Sequence, residues 1–85
     1  MEVTFKYFAW VRERIGIAEE KALLPDSVAT ASDAIRWLKS RGGGYASAFE
    51  REEIIRVAID HTHAQHTASV QGAREIAFFP PVTGG

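Results

Sequence analysis

The C-terminal carboxylate is the group in this sequence whose setting most favours chemistry. The chain ends in FFPPVTGG, so its last two residues are Gly84 and Gly85. Because glycine has no Cβ, the backbone and catalytic groups of another protein could close around such a tip from every side. The terminal carboxylate is ionised at neutral pH. The sequence therefore indicates a slender, anionic tip that is open to covalent modification.

The absence of cysteine makes the terminus a stronger candidate. The 85 residues include no cysteine, which excludes disulfides, thiolate metal sites and thiol nucleophiles together. No other side chain is an obvious nucleophile, so a reactive group, if the protein carries one, belongs at Gly85. The alternative is an inert end, because chain termini usually fray.

Two prolines predict how the tail leaves the folded body. Pro80 cannot donate a hydrogen bond to a sheet, so strand pairing should end there. Phe79 and Pro80 each precede a proline, which restricts both to extended geometry. The pair predicts a stiff stem directed away from the body, and residues 80–85 would reach on the order of 20 Å. We therefore interpret residues 1–79 as a folded domain and residues 80–85 as an extended tail.

The elements that must position this tail follow from the hydrophobic pattern. Residues 2–9 begin with alternating apolar and polar side chains, which predicts a half-buried strand. The segment FAWVRERIG then predicts a helical turn that ends at Gly16. The segment AEEKALLPD is typical of a second, weaker strand that ends at Pro25.

The clearest helix is predicted to begin at Thr30. Asp33 follows three residues later, which resembles a capping box. Apolar residues then recur at helical spacing, namely Ala31, Ala34, Ile35 and Leu38. The glycines at 42–44 predict a helix C-cap and then a loop, after which YASAFEREE predicts one short helical turn.

The C-terminal third predicts two or three further strands. EIIRVAID alternates isoleucine and valine on one face and predicts a strong strand, whereas HTHAQHTASVQGA is polar and turn-like with at most a weak strand. REIAFF predicts the last strand, with Ile76 and Phe78 facing the core. The other residues of that strand are expected to face outward, namely Glu75, Ala77 and Phe79.

This order of elements predicts an α+β fold with one main helix across a mixed sheet of four to five strands. The first and last strands have the strongest core patterns, so we expect them to be neighbours in the middle of the sheet. The order is typical of a β-grasp, or ubiquitin-like, domain, although order alone leaves ferredoxin-like arrangements open.

Composition excludes several classes of function. The chain is 46% hydrophobic and 25% charged, which is typical of one globular domain. Ten basic and eleven acidic residues give a net charge of −1, so nothing indicates binding to nucleic acid or an anionic membrane. The N-terminal segment has Glu2 where a signal peptide would be positive, and its apolar stretch is too short to span a membrane. A cytoplasmic protein is predicted.

Both ends of the chain resemble one known family. EIAFFPPVTGG closely resembles the C-terminal signature of the molybdopterin synthase small subunit, a sulfur-carrier subunit. YFAWVRERIG resembles that family's first strand and following turn. Length, element order and absence of cysteine agree along essentially the whole chain. The diglycine alone is shared with ubiquitin and thiamine sulfur carriers, whereas AFFPPVTGG is a specific match.

The resemblance implies a chemistry for the terminus. A ubiquitin-activating-like enzyme would use ATP to adenylate the carboxylate of Gly85, which follows Gly84, because a free carboxylate is a poor electrophile. A persulfide donor would then supply sulfur for a C-terminal thiocarboxylate. In the large subunit of molybdopterin synthase, within an expected heterotetramer, the tail would donate sulfur to cyclic pyranopterin monophosphate. Catalytic residues would belong to that large subunit, and this chain is expected to be no enzyme alone and to bind no cofactor.

The remaining candidate residues are assigned to partner binding, and they are Phe79, Pro80, Pro81, Val82, Thr83 and Arg12. Phe79 is an outward aromatic beside the tail, and its alternative is packing on another loop. Arg12 matches a family position and could pair with an acidic partner surface, and its alternative is a solvated charge. The segment H-T-H-A-Q-H at 61–66 could chelate a metal adventitiously, but no physiological metal site is predicted.

Three other functions remain open at this point. The chain could carry sulfur for thiamine synthesis or tRNA thiolation, with the same terminal chemistry. It could be a ubiquitin-like modifier that is conjugated to lysines. It could also be a plain binding module with an inert tail.

Overall fold

The computed structural model describes residues 1–81, in which five strands form one mixed sheet. The strands are β1 (Glu2–Tyr7), β2 (Glu19–Leu23), β3 (Arg56–Ile59), β4 (Thr62–Ala64) and β5 (Glu75–Phe79). The α-helices are α1 (Ala9–Ile15), α2 (Ala31–Lys39) and α3 (Gly43–Ala48), and a 3-10 helix spans Glu52–Ile54. Residues 82–85 lie outside the described part of the chain.

The sheet has the strand order β2-β1-β5-β3-β4. The central pair, β1 and β5, is parallel and places Tyr7 level with Phe78. The other three pairings are antiparallel. The prediction that the first and last strands are neighbours in the middle of a mixed sheet is confirmed, and with it the β-grasp fold class.

Aromatic rings from the two central strands form the middle of the core. The Phe78 ring centroid lies 5.6 Å from that of Phe5 and 6.1 Å from that of Tyr7. The Phe49 ring meets Phe78 edge to face at 5.3 Å. Such offset and edge-on pairs add about 0.5–1.5 kcal/mol each beyond the burial of their apolar surface. The core therefore concentrates on the strand that leads directly into the tail.

Helix α2 packs on this core, and it begins with the predicted capping box. The Asp33 backbone N–H donates to Thr30 Oγ1 at 3.2 Å, and the Thr30 N–H donates back to Asp33 Oδ2 at 3.1 Å. The capping box is thus complete, with aspartate in the place where glutamate is more usual. The residues buried on the inner face of α2 are the four predicted ones: Ala31, Ala34, Ile35 and Leu38.

The glycine run after α2 does not form the predicted C-cap and loop. Helix α2 ends at Lys39, its C-cap residue Ser40 keeps right-handed helical dihedral angles, and α3 begins at Gly43. Gly44 lies inside α3, where a Cβ atom would collide with the backbone carbonyl oxygen of Arg14 in α1. This glycine therefore allows two helices to pack backbone against backbone, which a local sequence pattern does not reveal.

A carboxylate on the inner face of the edge strand β2 ties that strand to the helices. Glu20 Oε2 accepts hydrogen bonds from the hydroxyls of Tyr7 at 2.7 Å and Tyr45 at 2.6 Å. Glu20 Oε1 accepts from the Arg41 guanidinium at 3.2 Å. Burial alone would raise the pKa of Glu20, but the two tyrosine hydrogen bonds and the Arg41 charge outweigh it, so the pKa is lowered. Burial and the bond to Glu20 raise the pKa values of Tyr7 and Tyr45.

Strand β5 departs from its predicted pattern at one residue. Ala77 lies on the outer face, as the alternation predicts, yet it is only 5% exposed. Its register partners are Lys6 on one side and Ala58 on the other, so neighbouring strands flank it on both sides. A methyl group in the central strand of a sheet is too short to reach past such neighbours to water.

Gly44→Ala should lower the free energy of unfolding by at least about 1 kcal/mol, the usual cost of overpacking a tight contact. An unhindered glycine-to-alanine change inside a helix has the opposite sign and stabilises by roughly 0.5–1 kcal/mol. Urea titration followed by circular dichroism measures the change. Ser47→Ala, an exposed site in the same helix, is the matched control and should stay within about 0.5 kcal/mol of the parent protein. A stabilised Gly44→Ala variant would contradict the close packing of α1 and α3.

Candidate functional site

The tail begins at the end of the central strand. Strand β5 ends at Phe79, and Pro80 and Pro81 follow without secondary structure. Both prolines are half-buried, and Pro81 lines a shallow groove whose other walls come from β3, β4 and the 3-10 helix. Pro81 thus lies along the β3 side of the body, whereas the sequence predicted a stem directed away from the body. The predicted tail residues Val82, Thr83, Gly84 and Gly85 lie outside the described residues.

Phe79 lies on the outer face of the sheet, opposite to the buried Phe78. It is half-buried because the His63 ring on β4 packs edge-on against it, with 5.2 Å between the ring centroids. Ala58 on β3 is the register partner of His63, and its small side chain leaves room for the histidine ring to reach across β3. Phe79 is thus outward-facing, as predicted, and partly covered by a strand residue.

Phe8 is a second aromatic at this end of the sheet, and the sequence reasoning missed it. Its N–H donates to Phe78 O at 3.1 Å, which continues the parallel pairing and puts Phe8 level with Phe79. Phe8 keeps extended dihedral angles (φ −126°, ψ 154°), so its side chain projects to the outer face. It is 46% exposed. In the alternation of β1, the even-numbered residues are polar and face outward, and Phe8 continues this series at the strand end. An aromatic residue at an outward position was the signal that the sequence offered.

A strained residue turns the chain away immediately after Phe8. Ala9, the first residue of α1, has φ 52°, a value that favours glycine. The turn sends α1 over the core side, where Val11 is buried, while Phe8 remains at the edge of the outer face. Strained backbone that persists in a fold often marks a functional site.

Two arginines flank the aromatic pair. The Arg12 N–H donates to Phe8 O at 3.4 Å, so Arg12 lies one helical turn beyond Phe8, and its side chain is exposed. Arg56 on β3 is the register partner of Phe79 and is also exposed. We call the outer surface formed by Phe8, Arg56, His63 and Phe79 the tail-exit surface. Arg12 lies at its α1 side.

The three histidines have three different environments. His61 Nδ1 lies 3.5 Å from Glu75 Oε2, His63 packs on Phe79, and His66 Nε2 lies 2.7 Å from Ile55 O. Within residues 1–81, no three histidine, aspartate or glutamate side chains come together as metal ligands. The side chains described on the tail-exit surface, two aromatic rings, a histidine and an exposed arginine, can make apolar and ionic contacts.

Toward the opposite end of the outer face, charged side chains form an ion pair and hydrogen bonds within the chain. Lys6 Nζ lies 3.0 Å from Glu75 Oε1. Asp60 Oδ1 accepts from the backbone N–H groups of Glu75 and Arg74, both at 2.9 Å, and these bonds lower the pKa of Asp60. Phe8 and Phe79 thus place aromatic side chains at the end of the outer face from which the tail leaves, and Leu23, which is 73% exposed on β2, lies at the other end. No helix among residues 1–81 has the length and apolar character needed to cross a membrane.

The fold and this surface define a β-grasp domain whose C-terminal segment leaves from the central strand. Comparison with family models gives its place among such domains: the chain belongs to the ThiS family, whose model matches residues 5–85.

Similar proteins confirm the resemblance found in the sequence. The molybdopterin synthase sulfur carrier subunit of Haemophilus influenzae is 40% identical over 79 residues, which cover 93% of this chain and 94% of that protein. Molybdopterin converting factor subunit 1 from Pyrococcus furiosus is similar in structure, with a TM-score of 0.74 and 25% identity over 96% of this chain and 99% of that one. Small archaeal modifier protein 1 from Haloferax volcanii has a TM-score of 0.69 and 26% identity, over 95% and 98% of the two chains.

Ala9→Gly should leave the protein as stable as the parent or stabilise it by up to about 1 kcal/mol, because glycine relieves the strain of positive φ. Ala46→Gly, a change of the same chemistry inside α3, should instead cost about 1 kcal/mol. Paired urea titrations of the two variants measure the difference. Equal losses in both variants would show that the backbone at Ala9 is unstrained.

Proposed function

We propose that this chain is the sulfur-carrier subunit of a molybdopterin synthase and that it has no catalytic activity alone. The observation that carries the proposal is the 40% identity to the Haemophilus influenzae sulfur carrier subunit over nearly the whole of both chains. The C-terminal sequence AFFPPVTGG and the absence of cysteine support it, because they leave the terminus as the place for reactive sulfur.

The reaction sequence begins at the carboxylate of Gly85. In the cytoplasm, where ATP is available, an adenylating enzyme joins this carboxylate to AMP and releases pyrophosphate. A persulfide sulfur then displaces AMP, and cleavage of the resulting acyl disulfide by a thiol leaves the thiocarboxylate. The thiocarboxylate donates its sulfur to cyclic pyranopterin monophosphate inside the large subunit, in the proposed heterotetramer. Adenylation is needed because a carboxylate has no leaving group that sulfur could displace.

The folded body serves this chemistry as a docking module. Phe8 and Phe79 offer two aromatic side chains at the tail exit, and aromatic residues are enriched among the residues that dominate interface energies. Arg12 offers a charge beside them for an acidic group on the partner. Pro80, Pro81, Val82 and Thr83 would line the route into the partner's active site.

A ubiquitin-like modifier is the second candidate. The structural similarity to small archaeal modifier protein 1, at 26% identity over nearly the whole chain, favours it. A modifier and a sulfur carrier share terminal activation, and they differ in what receives the activated terminus. A modifier would form an amide bond between Gly85 and a lysine of another protein.

Intact-mass measurement of the protein purified from its own host separates these functions. A fraction with one sulfur in place of one oxygen at Gly85, together with co-purification of a large synthase subunit, is the expected result. A carrier for thiamine or tRNA thiolation would show the same mass without that subunit. Lysine-linked adducts without a thiocarboxylate would support the modifier, and an unmodified terminus with no partner would overturn both.

Addition of one alanine after Gly85 should abolish adenylation while leaving the melting temperature unchanged. The added residue moves the carboxylate by roughly 3.5 Å, whereas reacting atoms need placement to within about 1 Å. It also puts a Cβ atom at a tip whose glycines suit a narrow channel. ATP–pyrophosphate exchange with the activating enzyme and a thermal melt of the free protein are the two measurements. Adenylation at the parent rate would show that the position of the terminus is not critical and would count against the proposal.

A further inference from the structure

Arg56 occupies a position that the sequence alone does not mark. It is directly opposite Phe79 across the β3–β5 pair, on the outer face, where side chains of opposed residues have Cβ atoms about 4.5–5.5 Å apart. It also lines the groove that contains Pro81. Any protein that encloses the tail and covers Phe79 must therefore also cover Arg56.

The charge of Arg56 is not neutralised by the described part of the chain. Within residues 1–81, Arg56 makes no ion pair, whereas five other cationic residues do: Lys6, Arg36, Lys39, Arg41 and Arg51. Glu53, the acidic residue of the same groove, is paired with Arg51 at 3.3 Å. A partner that covered Arg56 without a counter-charge would leave a cation buried and unpaired, which is strongly unfavourable.

We propose that Arg56 is a specificity-determining residue, which pairs with a carboxylate of the large subunit at the margin of the pocket that receives Phe79. This inference rests on the proposed function, since it assumes docking to a synthase large subunit. Charges at the margin of an interface mainly select the partner and its orientation. Arg56 on the β3 side and Arg12 on the α1 side would thus set the orientation in which the tail enters.

The test is the affinity of the unmodified full chain for the large subunit from the same host, measured by calorimetry at two salt concentrations. Arg56→Glu should weaken binding by about tenfold or more, because it places two negative charges together in the interface. Arg56→Gln should weaken binding less and make it less dependent on salt, because it removes the attraction without adding repulsion.

Lys21→Glu is the matched control. Lys21 is exposed on the outer face of the edge strand β2, at the far side of the sheet, and its reversal changes the net charge by the same amount. This variant should bind like the parent. In the large subunit, reversal of one acidic residue to lysine should restore at least part of the affinity for Arg56→Glu, which identifies the pair by a double-mutant cycle.

The outcomes distinguish the residue from the function. If Arg56→Glu binds like the parent protein and Phe79→Ala does not bind, the proposed role of Arg56 is wrong. Docking through the rest of the tail-exit surface would still be supported. Equal weakening by Arg56→Glu and Lys21→Glu would also overturn the role of Arg56, because the effect would then follow net charge. A parent protein that does not bind the large subunit would overturn the proposed function and this inference with it. Thermal melts of each variant exclude loss of fold as the cause.

Discussion

The parallel pairing of β1 with β5 is the constraint on which the rest of the structure depends. It brings the first and last strands to the centre of the sheet, where Phe5, Tyr7 and Phe78 form the aromatic core. Parallel strands finish at the same edge, so the chain leaves β1 at Phe8 and β5 at Phe79 side by side. The strand that carries the buried Phe78 thus leads directly into the terminal segment.

The chain continues beyond that edge in a different way after each of the two strands. After β1, the positive φ of Ala9 turns the chain into α1, whereas after β5 two prolines stop the pairing without a turn. The positive φ keeps the chain on the body as α1, whereas the prolines end the strand pairing and place Pro81 in the groove beside β3. In the proposed function, the folded body provides recognition and the terminus provides the reactive atom.

Local patterns predicted the parts of this structure that local physics determines. Alternation predicted the strands, and the Thr30–Asp33 spacing predicted a capping box that the structure contains. Contacts between distant segments were beyond such patterns. The role of Gly44 depends on the approach of α1, and the proximity of His63 and Arg56 to Phe79 depends on the strand order. Residue type and family resemblance predicted a reactive terminus, whereas the surface at the end of β5 was apparent only in the assembled sheet.

Because of the hydrogen bonds to Glu20, the ultraviolet absorbance of the tyrosines reports whether this part of the fold is intact. The chain contains two tyrosines, and the hydroxyl groups of both donate hydrogen bonds to this one carboxylate. Because their pKa values are raised in the folded state, the network stabilises the fold below the ordinary tyrosine range near about 10 and loses that contribution as pH rises beyond it. Tyrosinate absorbance in alkali would therefore accompany the loss of these two hydrogen bonds between the tyrosines and strand β2.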